Sequence, residues 1–217
     1  VIGTVEYPEI SSVSTEISGI VEKVNFEEGD RVRRNDVLVA LNSELLEKEI
    51  DVAKAIYQTA LEEYNMKKWE YERYDTLYQT GDKQLKELKD KQTQFNISFF
   101  NMQNAKATFD KLDLMKQKKS ILSPFDGIVI KKQCHKGEWL IEGAPAAIVA
   151  SGSKVDIVCN VPQDLVTSLS KGDDVNIKAN KETFIGKVFA IIPKGDINTR
   201  TFPVKIRLNN NSNLMAG

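Results

Sequence analysis

The sequence predicts an elongated, multi-module α+β fold: a split β-sandwich, an antiparallel α-helical coiled-coil hairpin inserted into it, and a small antiparallel β-barrel. The first observation behind this is an internal repeat. Ser18-Gly19-Ile20-Val21 returns as Asp126-Gly127-Ile128-Val129, 108 positions later. At the same offset Lys23 pairs with Lys131, Gly29 with Gly137, Asp30 with Glu138 and Val32 with Leu140. Beyond that point one extra residue in the second copy aligns Leu38-Val39-Ala40-Leu41 with Ala147-Ile148-Val149-Ala150. Each copy is a run of short strands broken by Gly-acid turns and is too small to close a core, so the halves must pair. The second observation is that Gly81 alone interrupts a Gly- and Pro-free stretch from Arg31 to Ser123. The third is polar–apolar alternation after residue 154, the period of a half-buried strand.

The helical stretch can be laid out in order. Asn42 or Ser43 can cap the first helix, with Glu44, Glu47 and Glu49 near its positive end. Gly81 supplies a left-handed stop, and Asp82 can cap the second helix, which gathers Lys116, Lys118 and Lys119 at its negative end. In the first helix Leu46, Ile50, Ala53, Tyr57, Ala60, Tyr64, Tyr71, Tyr74 and Tyr78 keep 4-3 spacing, broken only by Lys67. In the second, Leu85, Leu88, Phe95, Phe99, Met102 and Phe109 do the same, with Gln92 and Lys106 filling the gaps. That is a heptad seam, and a short connection makes the helices antiparallel. Helices of roughly 36 residues extend about 55 Å. Trp69, Ile97, Phe100 and Leu114 fall off the seam. They either thicken it or mark where neighbouring hairpins pack side by side.

The remaining segments are strand-like. Val155, Ile157, Cys159 and Val161 alternate with polar residues, Pro162-Gln163-Asp164 opens a short helix, and Lys171 to Asp174 makes a turn. Strands follow at about 175–179, 184–192 and 201–208, a barrel pattern that residues 1–7 can complete. A last strand is expected beyond Gly217.

Composition narrows the function classes. The 217 residues are 41% hydrophobic, with 30 basic against 31 acidic side chains and a net charge of −1, which argues against a dedicated nucleic-acid binder. The cluster Arg31-Val32-Arg33-Arg34 reads as a solvated turn or, alternatively, a partner contact. No apolar run reaches the roughly 18–20 residues that span a bilayer. Catalytic constellations are missing. His135 is a lone turn histidine, so imidazole-based metal ligation cannot be built. Cys134 and Cys159 read as small core residues of different modules rather than a disulfide pair. Met66, Met102, Met115 and Met215 are scattered, which gives little support to a soft-metal relay. No phosphate loop, nucleophile elbow or paired-carboxylate pattern is present.

The two halves, Ile17 to Asn42 and Ser123-Pro124-Phe125-Asp126-Gly127-Ile128-Val129 to Ser151, resemble those of a biotinyl/lipoyl domain. Carriers of that type present a modifiable lysine between the halves, where this chain has Leu45 and begins its helical insertion. A lipoyl-like sandwich split by a hairpin and followed by a barrel is similar to a membrane fusion protein, the periplasmic adaptor of tripartite efflux pumps. Thr199-Arg200-Thr201-Phe202-Pro203-Val204 is similar to the barrel of adaptors serving resistance-nodulation-division transporters. The resemblance implies a β-barrel of residues 1–9 and 153–217, a lipoyl-like domain of 10–42 and 120–152, and a hairpin of 43–119.

It further implies a non-enzymatic protein with no cofactor, self-associating as a trimer or hexamer around an export conduit. Its partners would be a proton-driven inner-membrane efflux transporter and an outer-membrane channel. Its place would be the periplasm, attached to the inner membrane through an N-terminal segment outside these residues. Adaptor tips carry Arg, Leu four residues on, and Ser seven further as channel contacts. This chain has Arg73 and Leu77, with Gln84 in place of the serine. The plain alternative for Arg73 is a solvated charge pairing with Glu70 or Asp75. An adaptor of an ATP-driven exporter or metal-ion efflux system remains the rival, and a lipoyl or biotinyl carrier subunit the remote one.

Overall fold

The computed structural model describes residues 1–179, 182–196 and 199–210. The chain divides into two compact units, Val1–Ala40 with Ile121–Gly217, and Leu41–Ser120. In the first unit, β1 (Gly3–Glu6) precedes four strands of the first repeat: β2 (Ile10–Ser14), β3 (Gly19–Val24), β4 (Arg31–Val32) and β5 (Val37–Leu41). The second repeat supplies β6 (Ser120–Leu122), β7 (Gly127–Lys132), β8 (Trp139–Leu140) and β9 (Pro145–Ser151). These eight form two four-stranded sheets, ordered β2-β9-β7-β4 and β6-β5-β3-β8. Moving every strand of one order by one repeat produces the other. Each sheet takes two strands from each half, which is how two fragments without cores build one.

The hydrogen bonds repeat as faithfully as the strands. Gly29 and Gly137, at φ of 93° and 89°, turn the chain. Their N–H groups donate to the carbonyls of Val129 and Val21, both at 2.8 Å. The first turn is closed by Glu27 N–H donating to Asp30 Oδ2 at 2.8 Å, and the second by His135 N–H donating to Glu138 Oε2 at 2.9 Å. Each acid therefore satisfies a backbone donor that would otherwise be left open. The hydrogen bond donated by the His135 backbone N–H, with the His135 side chain beside it, holds the Glu138 carboxyl below the usual carboxylate range.

The offset expected from the sequence needs one correction. Asn25 N–H donates to the Leu38 carbonyl and Gln133 N–H to the Ala146 carbonyl, both at 2.9 Å. Asn35 at φ 69° likewise matches Gly143 at φ 82°. Leu38 thus corresponds to Ala146, not Ala147, and the second copy carries no extra residue. The run Ala146 to Ala150 is apolar throughout, so its pattern fits either register and only the backbone bonds decide. Leu38, Val39, Ala146, Ala147 and Val149 are all buried in the sandwich.

After β9 the chain forms β10 (Lys154–Pro162), α3 (Gln163–Val166), β11 (Asp174–Ala179), β12 (Glu182–Ile191) and β13 (Thr201–Asn209). With β1 these make a five-stranded antiparallel sheet ordered β1-β10-β13-β12-β11. Val155, Ile157, Cys159, Val188, Val204 and Ile206 form its core, with α3 packed against it through Val166. On the outer face, register aligns Glu6, Asp156, Arg207, Lys187 and Asp174 in one row across all five strands. Cys134 and Cys159 are buried free thiols in separate cores. Burial pushes both thiols up, which disfavours the reactive thiolate.

The second unit is a helix pair, α1 (Glu44–Gln79) and α2 (Leu85–Lys118). Ring contacts fix its direction. Tyr57 stacks on Phe109 with centroids 6.3 Å apart, Tyr64 meets Phe99 at 5.9 Å, and Tyr71 stacks on Phe95 at 5.6 Å. Partners descend in α2 as they ascend in α1, so the helices are antiparallel. The connection turns at Gly81, at φ 84°, whose N–H donates to the Tyr78 carbonyl at 3.0 Å.

The caps differ from expectation. Ser43 precedes α1, yet its side chain makes no capping bond and its Oγ lies 3.3 Å from Glu47 Oε1. The residue before α2 is Gln84, not Asp82. Asp82 is engaged in closing the turn, accepting from Thr80 Oγ1 at 2.7 Å.

The seam is also shifted in α2. Leu88, Lys91, Phe95, Ser98, Met102, Ala105, Phe109 and Leu112 turn inward at 3-4 spacing, and Ser98 is 2% exposed. Leu85, Gln92 and Lys106 face outward, and Phe99 is half-buried beside the seam. In α1 the expected positions hold to Tyr74, after which Leu77 rather than Tyr78 is the shielded residue. The shift has a physical cause: Lys91 and Ser98 occupy inward positions that an apolar template passes over. Because Phe99 is only half-buried, Phe99→Ala should cost about 2 kcal/mol, below the roughly 3–5 kcal/mol of a fully buried phenylalanine. Native-state hydrogen exchange should show protection lost in the helix pair alone, with the sandwich amides unchanged.

Lys91 belongs to the polar layer that replaces packing there. Its Nζ is 2.9 Å from Glu70 Oε2, which also sits 3.5 Å from Lys67 Nζ, and it lies 5.3 Å from the Tyr74 ring centroid. The hydrogen bond from Lys91 lowers the Glu70 carboxyl from its ordinary value, and the same bond raises the Lys91 ammonium. A lowered acid stabilises the fold above its unfolded pKa and loses that contribution as pH falls through the folded value. A raised ammonium stabilises below its unfolded pKa and loses it as pH rises through the folded value. The helix pair should therefore melt higher between about pH 5 and pH 10 than outside that window. Glu70→Gln should flatten the acid side of this profile, as followed by helical circular dichroism.

Candidate functional site: the turn of the helix pair

Arg73, Leu77 and Gln84 sit on the last turns of α1 and at the start of α2, around the connection at Gly81. Arg73 is exposed. Glu70 is occupied by Lys91 and Lys67, and Asp75 accepts from Gln79 Nε2 at 3.0 Å. Neither carboxylate expected for Arg73 is its partner. Instead its guanidinium carbon lies 5.5 Å from the centroid of the exposed Trp69 ring. That contact is worth about 0.5–1 kcal/mol at an exposed position and leaves the N–H donors of the guanidinium available for a partner.

Leu77 is half-buried, and its carbonyl anchors the turn. It accepts from Asp82 N–H at 2.9 Å and from Thr80 Oγ1 at 3.0 Å. Gln84 is exposed, and its carbonyl accepts from Glu87 N–H at 3.1 Å and Leu88 N–H at 3.3 Å. Its side chain makes no capping bond. Among the described residues no hydrogen bond or ion pair joins the three side chains to one another. They lie on either side of one connection without forming a preassembled cluster. Trp69 was missed as the companion of Arg73, although its i, i+4 spacing from Arg73 could have revealed it.

The turn can offer a planar cation, an aliphatic side chain and a carboxamide to another surface. It holds no nucleophile–base pair. Among the described residues there is also no group of three or more His, Cys, Asp or Glu side chains able to hold a metal ion. Leu45, at the position of a carrier lysine, lies exposed in the first turn of α1. A leucine there offers no amine for a covalent cofactor.

Residues 9–151 match the family model of the CzcB-like barrel-sandwich hybrid domain, and residues 154–217 match that of the CusB-like β-barrel domain. Multidrug resistance protein MdtE of Escherichia coli K12 is 28% identical over 172 residues, covering 79% of this chain and 44% of MdtE. The chain thus spans less than half the length of that relative. Membrane fusion protein Spr0693 of Streptococcus pneumoniae superposes with a TM-score of 0.71 at 15% identity, covering 99% of this chain and 93% of Spr0693. A MacA–MexA chimera carrying the Pseudomonas aeruginosa MexA α-hairpin domain gives 0.64 at 20% identity, covering 98% and 75%. At such identities the likeness shows the fold. Two sheets exchanging strands between repeats, the helices inserted between them and the two consecutive family matches together identify the chain as a member of the membrane fusion protein family, with a CzcB-like barrel-sandwich hybrid domain followed by a CusB-like β-barrel domain.

Proposed function

We propose that the protein is a non-enzymatic periplasmic adaptor, linking a proton-driven inner-membrane efflux transporter to an outer-membrane channel. The observation that carries this reading is the helix pair set into a sandwich whose two repeats exchange strands. A carrier domain needs only a short loop and a lysine at that point. Two helices of 36 and 34 residues instead carry a connecting turn far along the chain from either repeat. Three modules then divide the work. Residues 43–119 reach the channel, 10–42 with 120–152 form the lipoyl-like ring element, and 1–9 with 153–217 form the barrel on the transporter side. Several copies, three or six, enclose the conduit, tethered to the inner membrane through an N-terminal segment. Arg73, Leu77 and Gln84 contact the channel. The stretch Thr199 to Val204 favours a transporter of the resistance-nodulation-division class.

Deleting the gene should sensitise cells to the exported compounds, and restoring the full-length protein should return export. Intact mass of the purified protein should equal the unmodified polypeptide. A lipoyl or biotinyl adduct would instead support a carrier subunit.

A further inference from the structure

The outer face of the five-stranded sheet carries a concave site that the adaptor reading does not use. A cavity of about 420 Å³ is lined by Lys154, Lys171, Ile185, Lys187, Phe189 and Arg207, among others. Strand alternation puts them there. Val188 of β12 enters the core, so Ile185, Lys187 and Phe189 are left on the other side, with Ile185 71% and Phe189 41% exposed. Four cationic side chains line the cavity and no acidic one does. Two of the four already have counter-ions. Lys187 Nζ is 2.6 Å from Asp174 Oδ1, and Arg207 Nε is 2.7 Å from Asp156 Oδ1.

Lys154 and Lys171 have no carboxylate partner among the described residues, and the Lys171 ammonium lies 5.7 Å from the Phe189 ring centroid. Both are held on fixed backbone. Gly172 N–H donates to Val188 O at 2.8 Å and Val188 N–H to Asp173 O at 2.9 Å, which pins the Lys171 turn against β12. Lys154 sits in register opposite Asn209 of β13.

Two uncompensated ammonium groups beside an exposed apolar floor complement a molecule with an anionic head and a hydrocarbon body. A bare anion would leave Ile185 and Phe189 in water. A neutral apolar ligand would desolvate the lysines without compensating their charge. We propose that this site binds an anionic amphiphile, its head at Lys154 and Lys171 and its hydrocarbon on Ile185 and Phe189. The inference goes beyond the adaptor reading and stands without it. A free amphiphile and an anionic phospholipid in a bilayer share this chemistry.

Titration calorimetry of the 217-residue chain with decanoate, below its micellar range, should give saturable binding, and decyltrimethylammonium should give none. Lys154→Ala with Lys171→Ala should weaken decanoate by about tenfold, corresponding to about 1.4 kcal/mol, with an unchanged melting temperature. Ile185→Ser should weaken it without altering the preference for the anion. Equal binding of both amphiphiles, or an unaffected double variant, would overturn the proposal. Sedimentation with phosphatidylcholine vesicles, with and without phosphatidylglycerol, separates the sources. Lysine-dependent binding only to the phosphatidylglycerol vesicles assigns the bilayer lipid, and decanoate binding without vesicle binding assigns the free amphiphile. Binding in neither arm also overturns it.

Discussion

Cells carrying Arg73→Asp together with Leu77→Ser are expected to lose export to the level of the gene deletion, with the protein present at its normal amount. The fold gives the pair little reason to matter. Arg73 is exposed and has only the Trp69 ring beside it, so its loss removes about 0.5–1 kcal/mol. Leu77 is half-buried and its anchoring bonds come from its backbone carbonyl, which serine retains. A partner surface is affected far more. Arginine and its aromatic neighbour are residue types that dominate binding energy, and a central contact contributes about 2 kcal/mol or more. Reversing the charge adds repulsion to that loss. Each single change should reduce export, and Gln84→Ala should act in the same direction more weakly, since a lone neutral hydrogen bond contributes about 0.5–1.5 kcal/mol. Drug-susceptibility assays with matched immunoblots measure all four variants. Normal resistance in the double variant would remove the turn from the mechanism.

The largest stability effect should come from the other unit. Asp156 is 3% exposed and accepts from Arg207 Nε at 2.7 Å and Nη2 at 2.8 Å. The Arg207 guanidinium carbon lies 3.6 Å from the Phe189 ring centroid, and the hydrogen bond to Asp156 raises the Arg207 pKa further. Asp156→Ala would strand a partly buried cation. Breaking a fully buried pair costs about 3–5 kcal/mol, and the residual exposure of Arg207 reduces that to about 2–4 kcal/mol. For a chain of this size the melting temperature should fall by about 5–12 °C. Asp156→Ala combined with Arg207→Met should recover much of the loss, because no unpaired charge remains. A double variant as unstable as the single one would mean that the pair acts through shape and not through charge.

Much of this architecture could be seen in the sequence because the repeat marks itself. Gly29 and Gly137 must turn at positive φ, and Asp30 and Glu138 must close those turns. Residues so constrained keep their type, and the pairing of the halves follows. The register after Gly137 could not be seen, since Ala146 to Ala150 offers no polar residue to choose between Ala146 and Ala147. In α2 the inward positions of Lys91 and Ser98 were hidden for a different reason. Lys91 is stabilised there by Glu70 and Tyr74 of the other helix, a tertiary contact that periodicity cannot report. The same holds for the row Asp156, Arg207 and Lys187, which becomes visible only when β10, β13 and β12 lie in register. At the turn, Arg73 and Leu77 are candidates only through a family pattern, while the Trp69 contact and the engagement of Asp82 by Thr80 emerge from local geometry.

A photo-reactive aromatic residue at position 77 of the full-length protein tests the adaptor reading most directly. Irradiation of intact cells should yield a covalent adduct with an outer-membrane channel protein, lost when Arg73→Asp is present on the same chain. The same probe at Val52, on the exposed face of α1 near its start, should not capture that channel. An adduct at position 77 only with inner-membrane proteins, or one that persists unchanged with Arg73→Asp, would contradict a bridging role for the helix pair.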